Sequence, residues 1–310
     1  MPNQNDNRTV PGFTVYHDLN SPTGESYHCH EYHEVIFFLS GEGRYVVEGK
    51  TYRLQPGDLL VISDREIHRD SEKSGKRRDR YIAYIDSAFL EEAKKADRNG
   101  EDLSRCFDVL SGRRYHLLRL GAQERKRAAA IFAALAEANP QGYGADLLKK
   151  CYMIELLVML NRACFSEDEP EEALCNPKIQ CIVEFINTHL DGDLNLELLS
   201  ARFGLSKYHM TREFKRCLGL SLHQYVLKKR LLEARAALRQ GQTAAQAFAL
   251  SGFSDYSHFS RAFRETFGMS PREYRMKVKE GSFSSNRLTN YLPKGKNPRS
   301  SYVNGGSYSE

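Results

Sequence analysis

Between Thr14 and Ile85 the apolar residues fall in short runs broken by turn residues. Glu34-Val-Ile-Phe-Phe-Leu39 stops at Ser40-Gly41-Glu42-Gly43, and Arg44-Tyr-Val-Val-Glu48 stops at Gly49-Lys50. Tyr52-Arg-Leu54, Pro56-Gly57-Asp58 and Leu59-Leu-Val-Ile62 continue the series. Short strands at close turn spacing predict an all-β barrel or sandwich. Ser71–Arg80 is polar and basic and reads as an exposed loop. After Ser87 the period becomes helical: Ala128, Ile131, Phe132 and Leu135 share one helix face, and Asn139-Pro140-Gln141-Gly142 ends it. A second helix is predicted from about Ala145 to Phe165. Its apolar residues form two faces, Leu147, Cys151, Ile154 and Val158 on one and Leu148, Leu156 and Leu160 on the other. A helix apolar on two sides needs two partners. One is the β domain; the other is either the same helix of a second chain or the interior of one subunit.

The acidic stretch 166–177 carries two prolines and reads as a linker. Helical period then resumes. Ile179, Ile182, Val183 and Ile186 form a stripe that Leu190 continues, and Asp193 or Asn195 is placed to cap a helix over Leu196–Phe203. Gly204-Leu205-Ser206 makes a tight turn, with Ser206 at the N-cap of Lys207–Leu218. A short helix, a glycine turn and a second helix with polar outer residues form the helix-turn-helix pattern. The pattern repeats. Phe214, Gly219, Ser221 and Tyr225 recur 49 residues on as Phe263, Gly268, Ser270 and Tyr274, and Gly204-Leu205-Ser206 recurs 48 on as Gly252-Phe253-Ser254. Leu222–Arg239 reads as one long connecting helix, with Leu227, Leu231 and Leu238 inward and Lys228, Lys229, Arg230 and Arg235 outside.

These patterns predict a multidomain β plus α protein. A β-barrel spans 1–86, a helical connector and dimerisation region 87–165, a linker 166–177, a tandem helix-turn-helix domain 178–280, and a disordered basic tail 281–310. An apolar fraction of 41% over 310 residues is enough for packed cores. Charge sharpens the division. Residues 1–177 carry a net −5, residues 178–280 a net +7 and the tail a net +3. That asymmetry points to a polyanion partner for the helical domain alone, and to an electrostatic hold between the two halves that salt would weaken. The linker and the loop Ser71–Arg80 are the expected contacts. The seven scattered cysteines form no CxxC pair, the N-terminus is too polar for a secretion signal, and no apolar run is long enough to span a membrane. A cytoplasmic protein is expected.

From about Ile182 to Arg275 the chain resembles the DNA-binding domain of the AraC/XylS family of transcription regulators. The likeness is clearest in Gly252-Phe-Ser-Asp-Tyr-Ser-His-Phe-Ser-Arg-Ala-Phe263 and Gly268-Met-Ser-Pro-Arg-Glu-Tyr-Arg275. Ala247-Phe248 stands where that family usually has Ile-Ala, so the core of the second unit must be repacked. Periodicity turns Met210, Phe214, Phe259 and Phe263 inward. The resemblance implies that Tyr208, Thr211, Arg212, Tyr256, Ser257 and Arg261 face bases, where an arginine fork can pair with guanine O6 and N7. Lys207, Lys215, Arg216 and Arg264 are expected on phosphates, which fix register without reading sequence. Two such helices on one rod can enter successive major grooves about 34 Å apart. The resemblance also implies a transcription activator, a homodimer and contact with RNA polymerase.

In the N-terminal region His28-x-His30-x3-Glu34-x6-Gly41 resembles the first cupin motif, and Gly57 with His68 eleven residues on resembles the second in spacing. Ser63 and Arg65 depart from its usual Pro and Gly. Three readings stay open: an effector pocket with no required metal or cofactor, a metal-bound sensor using His28, His30, Glu34 and His68, and histidines that are merely structural. The effector expected is a small polar molecule such as a sugar, with Tyr27, Tyr32 and Phe37 as candidate walls. No P-loop, GxSxG or GxGxxG occurs, and the repeat favours a ligand-responsive regulator over a metal-dependent enzyme fused to a DNA-binding domain.

Overall fold

A computed structural model of the chain describes residues 12–19, 27–71, 78–97, 99–108, 116–137, 142–164, 173–174 and 176–280. The tail 281–310, most of the linker and the tip of the loop after Ser71 lie outside the described residues.

The N-terminal part builds two facing sheets. One carries β1 (Phe13–Leu19), β7 (Arg78–Ile85), β2 (His33–Gly41), β5 (Asp58–Ile62) and β8 (Leu117–Arg119), in that order. The other carries β6 (His68–Asp70), β3 (Gly43–Val47), β4 (Lys50–Leu54) and β9 (Ala173–Leu174). All named pairs are antiparallel. Strand β2 reads as an unbroken apolar run because both its faces are covered. Ile36 and Phe38 point between the sheets with Tyr45, Val47, Leu60, Ile62 and Ile82. Val35 and Phe37 point outward, into a second core shared with α1 (Ser87–Ala96), a 3₁₀ turn (Arg105–Phe107), α2 (Ala122–Ala136) and α3 (Ala145–Cys164). Strand β8 comes from the segment expected to be only helical, and β9 comes from the segment read as a linker. The last three residues of the loop expected over Ser71–Arg80 belong to β7, where Arg78 and Arg80 are buried and paired with Asp70 and Asp18.

On α3, Met153, Leu156, Leu157 and Leu160 face the core. Leu147 is 66% exposed and Ile154 37% exposed, with Cys151 also exposed and Val158 half-buried. The two expected faces are therefore one inner and one outer, although Leu148 joins the outer side at 52% exposure.

The C-terminal part is all helical. It comprises α4 (Pro177–Thr188), α5 (Leu196–Phe203), α6 (Lys207–Leu218), α7 (Leu222–Arg239), α8 (Ala244–Leu250), α9 (Tyr256–Phe267) and α10 (Pro271–Lys279). Local chemistry sets the boundaries. Asn195 caps α5, Ser206 caps α6 and Asp255 caps α9, each accepting a backbone N–H of the first turn. Ser221 with Gln224 and Ser270 with Glu273 form capping boxes at α7 and α10. Helices α6 and α9 both stop at a left-handed glycine, Gly219 and Gly268. Met210, Phe214, Phe259 and Phe263 are fully buried, as their spacing predicts. Ala247 is buried too, and Phe248 fills the space beside it by packing on Tyr256 and Phe259.

Candidate functional site: exposed recognition helices and a histidine–carboxylate cluster

Helices α6 and α9 present matching outer faces. Lys207, Tyr208, Thr211, Arg212, Lys215 and Arg216 are exposed on the first; Tyr256, Ser257, Arg261 and Arg264 are exposed on the second. Tyr208 is 77% exposed, far above what a tyrosine with a packing role would show. The 49-residue offset places Arg212 on Arg261 and Lys215 on Arg264, so both units carry the same pair of cations. Several of these charges rest on neighbouring carboxylates: Lys207 on Glu197, and Arg216 on Glu213 at 2.7 Å. Such exposed pairs are weak, and an incoming phosphate can replace the carboxylate.

The second constellation lies in the barrel. Strand β2 turns Glu34 to the interior, on the same side as Ile36 and Phe38. His68 opens β6 and exchanges backbone hydrogen bonds of 2.8 and 2.9 Å with His28, which brings the segment 27–30 alongside. His30 Nε2 donates to Glu34 Oε2 at 3.0 Å, and His68 Nε2 stands 3.2 Å from the same oxygen. His28, His30, Glu34 and His68 are all buried. Burial alone would raise the Glu34 carboxyl, but the His30 and His68 rings hold it well below the usual carboxylate range. Burial pulls His30 down. It also opposes the charged form of His68, yet the Glu34 carboxylate overrides it and His68 moves up.

One nitrogen each of His28, His30 and His68 can lie within 4.8 Å of the others, and all three rings are buried. That spacing is close to what three ligands of one cation need, because nitrogen ligands at about 2.0–2.1 Å from a tetrahedral ion sit about 3.4 Å apart. Three imidazoles and a carboxylate are also a sound donor set for a transition-metal ion. The expected apolar walls are only partly there. Tyr32 stacks on His30 at 4.1 Å between centroids, whereas Phe37 packs on Phe132 in the outer core and Tyr27 points at the helical domain.

Between the two parts lies an interface that buries cations expected to face outward. Lys228, Lys229 and Arg235, expected on the outer side of α7, are buried at 7%, 7% and 0% exposure. Arg235 donates to the carbonyls of His30 (3.3 and 3.4 Å) and Asp64 (2.7 Å) and stands 3.5 Å from the Asp64 carboxylate. Lys229 donates to Glu48 at 3.1 Å and to the Arg65 carbonyl at 2.8 Å, while Tyr225 donates to the other Glu48 oxygen. Arg239 reaches the Glu31 carbonyl, Asp64 and Asp86. Arg230, the remaining cation of that set, donates to the carbonyls of Leu190 and Gly192 within the helical domain. Among the described residues Glu48 and Asp64, in turns, and Asp86, at a helix N-cap, make an acidic-to-basic hold between the halves; most of the expected loop and linker lies outside the described residues. One signal was available. Leu231, Arg235 and Leu238 fall at i, i+4 and i+7, so Arg235 sits on the inward stripe and required a buried partner. A cleft of about 950 Å³ opens beside this interface, lined among others by His33, Asp64, Lys229 and Arg239.

Both parts of the chain resemble known proteins. Residues 12–157 match the family model described as AraC-like ligand binding domain, and residues 199–277 match that of a helix-turn-helix domain. The chain is 24% identical over 260 residues to the HTH-type transcriptional activator RhaS of Pectobacterium carotovorum subsp. carotovorum, covering 80% of this chain and 86% of that one. It is 27% identical over 256 residues to the probable transcriptional regulator LumQ of Photobacterium leiognathi, covering 82% of this chain and 94% of that one. Among solved structures it is similar to ToxT from Vibrio cholerae, at 13% identity and a TM-score of 0.35, over 86% of this chain and 98% of that one.

Proposed function

Because this chain joins an AraC-like ligand binding domain to a helix-turn-helix domain, and so belongs to the AraC/XylS type of DNA-binding transcription regulators, we propose how its residues divide that work. The matching exposed faces of α6 and α9 carry the reading. Tyr208, Thr211, Arg212, Tyr256, Ser257 and Arg261 read bases, and Lys207, Lys215, Arg216 and Arg264 hold phosphates. The protein works in the cytoplasm as a homodimer joined through the outer stripe of α3. It activates transcription through contact with RNA polymerase, and it turns over no substrate. The test is a mobility shift of residues 178–280 on promoters footprinted with the full chain. Sequence-selective, salt-sensitive binding is expected; its absence on every footprinted promoter overturns the assignment.

In the same reading the barrel answers to a small polar effector through His28, His30, Glu34 and His68. Their mixed donors and acceptors suit the hydroxyls of a sugar, which would have to part the four side chains to enter. The spacing of the ring nitrogens and the carboxylate beside them favour a second reading, a divalent transition-metal ion held by these residues. Such an ion would fix the two histidine-bearing segments to each other and to Glu34. Replacing His30 and Glu34 together by Ala abolishes the effector response and leaves basal DNA affinity intact in either reading. A folded double variant that still responds eliminates the site.

A further inference from the structure

The segment 27–31 has two faces. His28 and His30 turn into the cluster, and their neighbours turn outward to the helical domain. Tyr27 donates its hydroxyl to the Cys217 carbonyl at the end of α6, at 2.7 Å. Its ring also lies on Gly219, where an added Cβ would stand 2.2 Å from the ring. With Val46 and Ile67 it is part of the buried core of the first helix-turn-helix unit. Cys29 is fully buried in the core of the second unit, with Leu231, Phe263 and Phe267. The His30 carbonyl accepts from Arg235 and the Glu31 carbonyl from Arg239, both on the helix that joins the two units. One short stretch thus touches the cluster on one side, and both DNA-reading units and their connecting rod on the other.

We propose that occupancy of the histidine–carboxylate site by a divalent cation is relayed through this segment to both helix-turn-helix units at once, resetting their mutual orientation and with it DNA affinity. The inference rests on the cation reading of the site. The physical basis is the contraction. Ring nitrogens now up to 4.8 Å apart must close to about 3.4 Å around a tetrahedral ion, which draws the three histidines together, while the Glu34 oxygen, now 3.0 and 3.2 Å from two of them, must back away. The backbone that carries them cannot move without shifting Tyr27 and Cys29, because neighbouring residues are joined through planar peptide units. Packed cores transmit such small shifts because they have few intermediate arrangements. Two recognition helices on one rod must match the groove spacing, so a change in their mutual angle is read directly as affinity.

The test uses the full chain, stripped of metal with a chelator, and Co2+ as the probe. Its d–d absorption reports occupancy of the cluster. Amide exchange is followed in peptides covering Cys217–Ser221 and Phe259–Phe267, and affinity is measured on a duplex selected by the chain from a random-sequence library. Co2+ is expected to alter exchange in both peptides and to change DNA affinity by about fivefold or more. Tyr27→Phe should bind Co2+ as well as the wild type while losing the exchange response at Cys217–Ser221. Uptake of Co2+ through His30 with both peptides and the affinity unmoved overturns the relay and leaves the cation reading standing. If Co2+ is not taken up, the cation reading falls and the relay is judged on Glu34→Gln without any ion. That change frees His30 and His68, so it must alter exchange in both peptides; unaltered exchange overturns the relay.

Discussion

Replacing Arg235 by Met tests the account of the interface most directly. The side chain is fully buried, its head stands 3.5 Å from the Asp64 carboxylate, and it supplies donors to two carbonyls of the barrel. Methionine keeps most of the volume and removes the charge. Two carbonyls lose their guanidinium, and Asp64 loses one of its cations. Breaking a buried pair from one side costs about 3–5 kcal/mol. Arg239 stays 3.2 Å from Asp64 and offsets part of this, so we expect about 3 kcal/mol. The chain has no tryptophan, so urea unfolding is best followed by far-UV circular dichroism. The loss should fall on docking of the two domains, which would split one transition into two. Arg235→Lys keeps the charge but not the planar fork, and should lose roughly half as much.

Acid adds a second reading of the same variant. Burial alone would raise the Asp64 carboxyl, but the charges around it hold it well below the usual carboxylate range. His33 beside it is pushed down to about 4 by burial and is neutral at pH 7, so the guanidiniums carry this effect there. A depressed folded value means that Asp64 contributes stability fully above about pH 4, its unfolded value, and that this is lost as pH falls toward the folded one. With Arg235 gone the folded value rises, the contribution shrinks, and what is left is lost at a higher pH. A variant with an unchanged single transition and an unchanged acid limb would refute the claim that Arg235 ties the domains together.

Gly219→Ala and Gly268→Ala form a matched pair: both sites are left-handed, which costs about 1 kcal/mol for alanine, but only at Gly219 does a Cβ meet another group, the Tyr27 ring. Denaturant titration should show Gly219→Ala costing about 1–3 kcal/mol more; equal losses would remove Tyr27 from that contact. Arg212→Ala and Arg261→Ala should each cost about 1–3 kcal/mol on the preferred site and relax one base position, whereas Lys215→Ala should weaken all sequences alike and lower the salt slope. Binding titrations over a set of single-base variants separate the two outcomes, and sequence-blind losses for all three would contradict the assignment. Ile154→Asp should leave the fold intact and yield monomers in sedimentation, since Ile154 is already 37% exposed on the outer stripe of α3; an unchanged mass speaks against that stripe as the interface.

The helical domain was legible from the sequence almost to the residue, because its signals are local. Caps such as Ser206, the glycines that end α6 and α9, and the 49-residue repeat each act within a few residues of where they stand. The candidate ligands were legible for the same reason. His28, His30 and Glu34 lie close together in the chain, and the turn at Gly57 announces β5, after which the chain crosses to the other sheet as β6 with His68. Other features depended on partners far away. Strands β8 and β9 are too short to carry a pattern of their own, and they exist only because β5 and β4 offer open edges.

The burial of Lys229 and Arg235 is of that second kind. Charged residues on a helix surface read as solvated, and only a carboxylate brought up from about 170 residues earlier reverses that reading. Asp64 and Glu48 occupy turns whose residue types say nothing of a distant helix. Alternation along the segment 27–31 likewise has no meaning until the tertiary structure sets a cluster on one side of it and a domain on the other. The sequence alone determined which helices form, where they end and which side chains α6 and α9 expose, because those choices are made over one or two turns of chain. The tertiary structure decided which charges are masked and what the histidines are tied to, because burial and pairing belong to surfaces that only folding brings together.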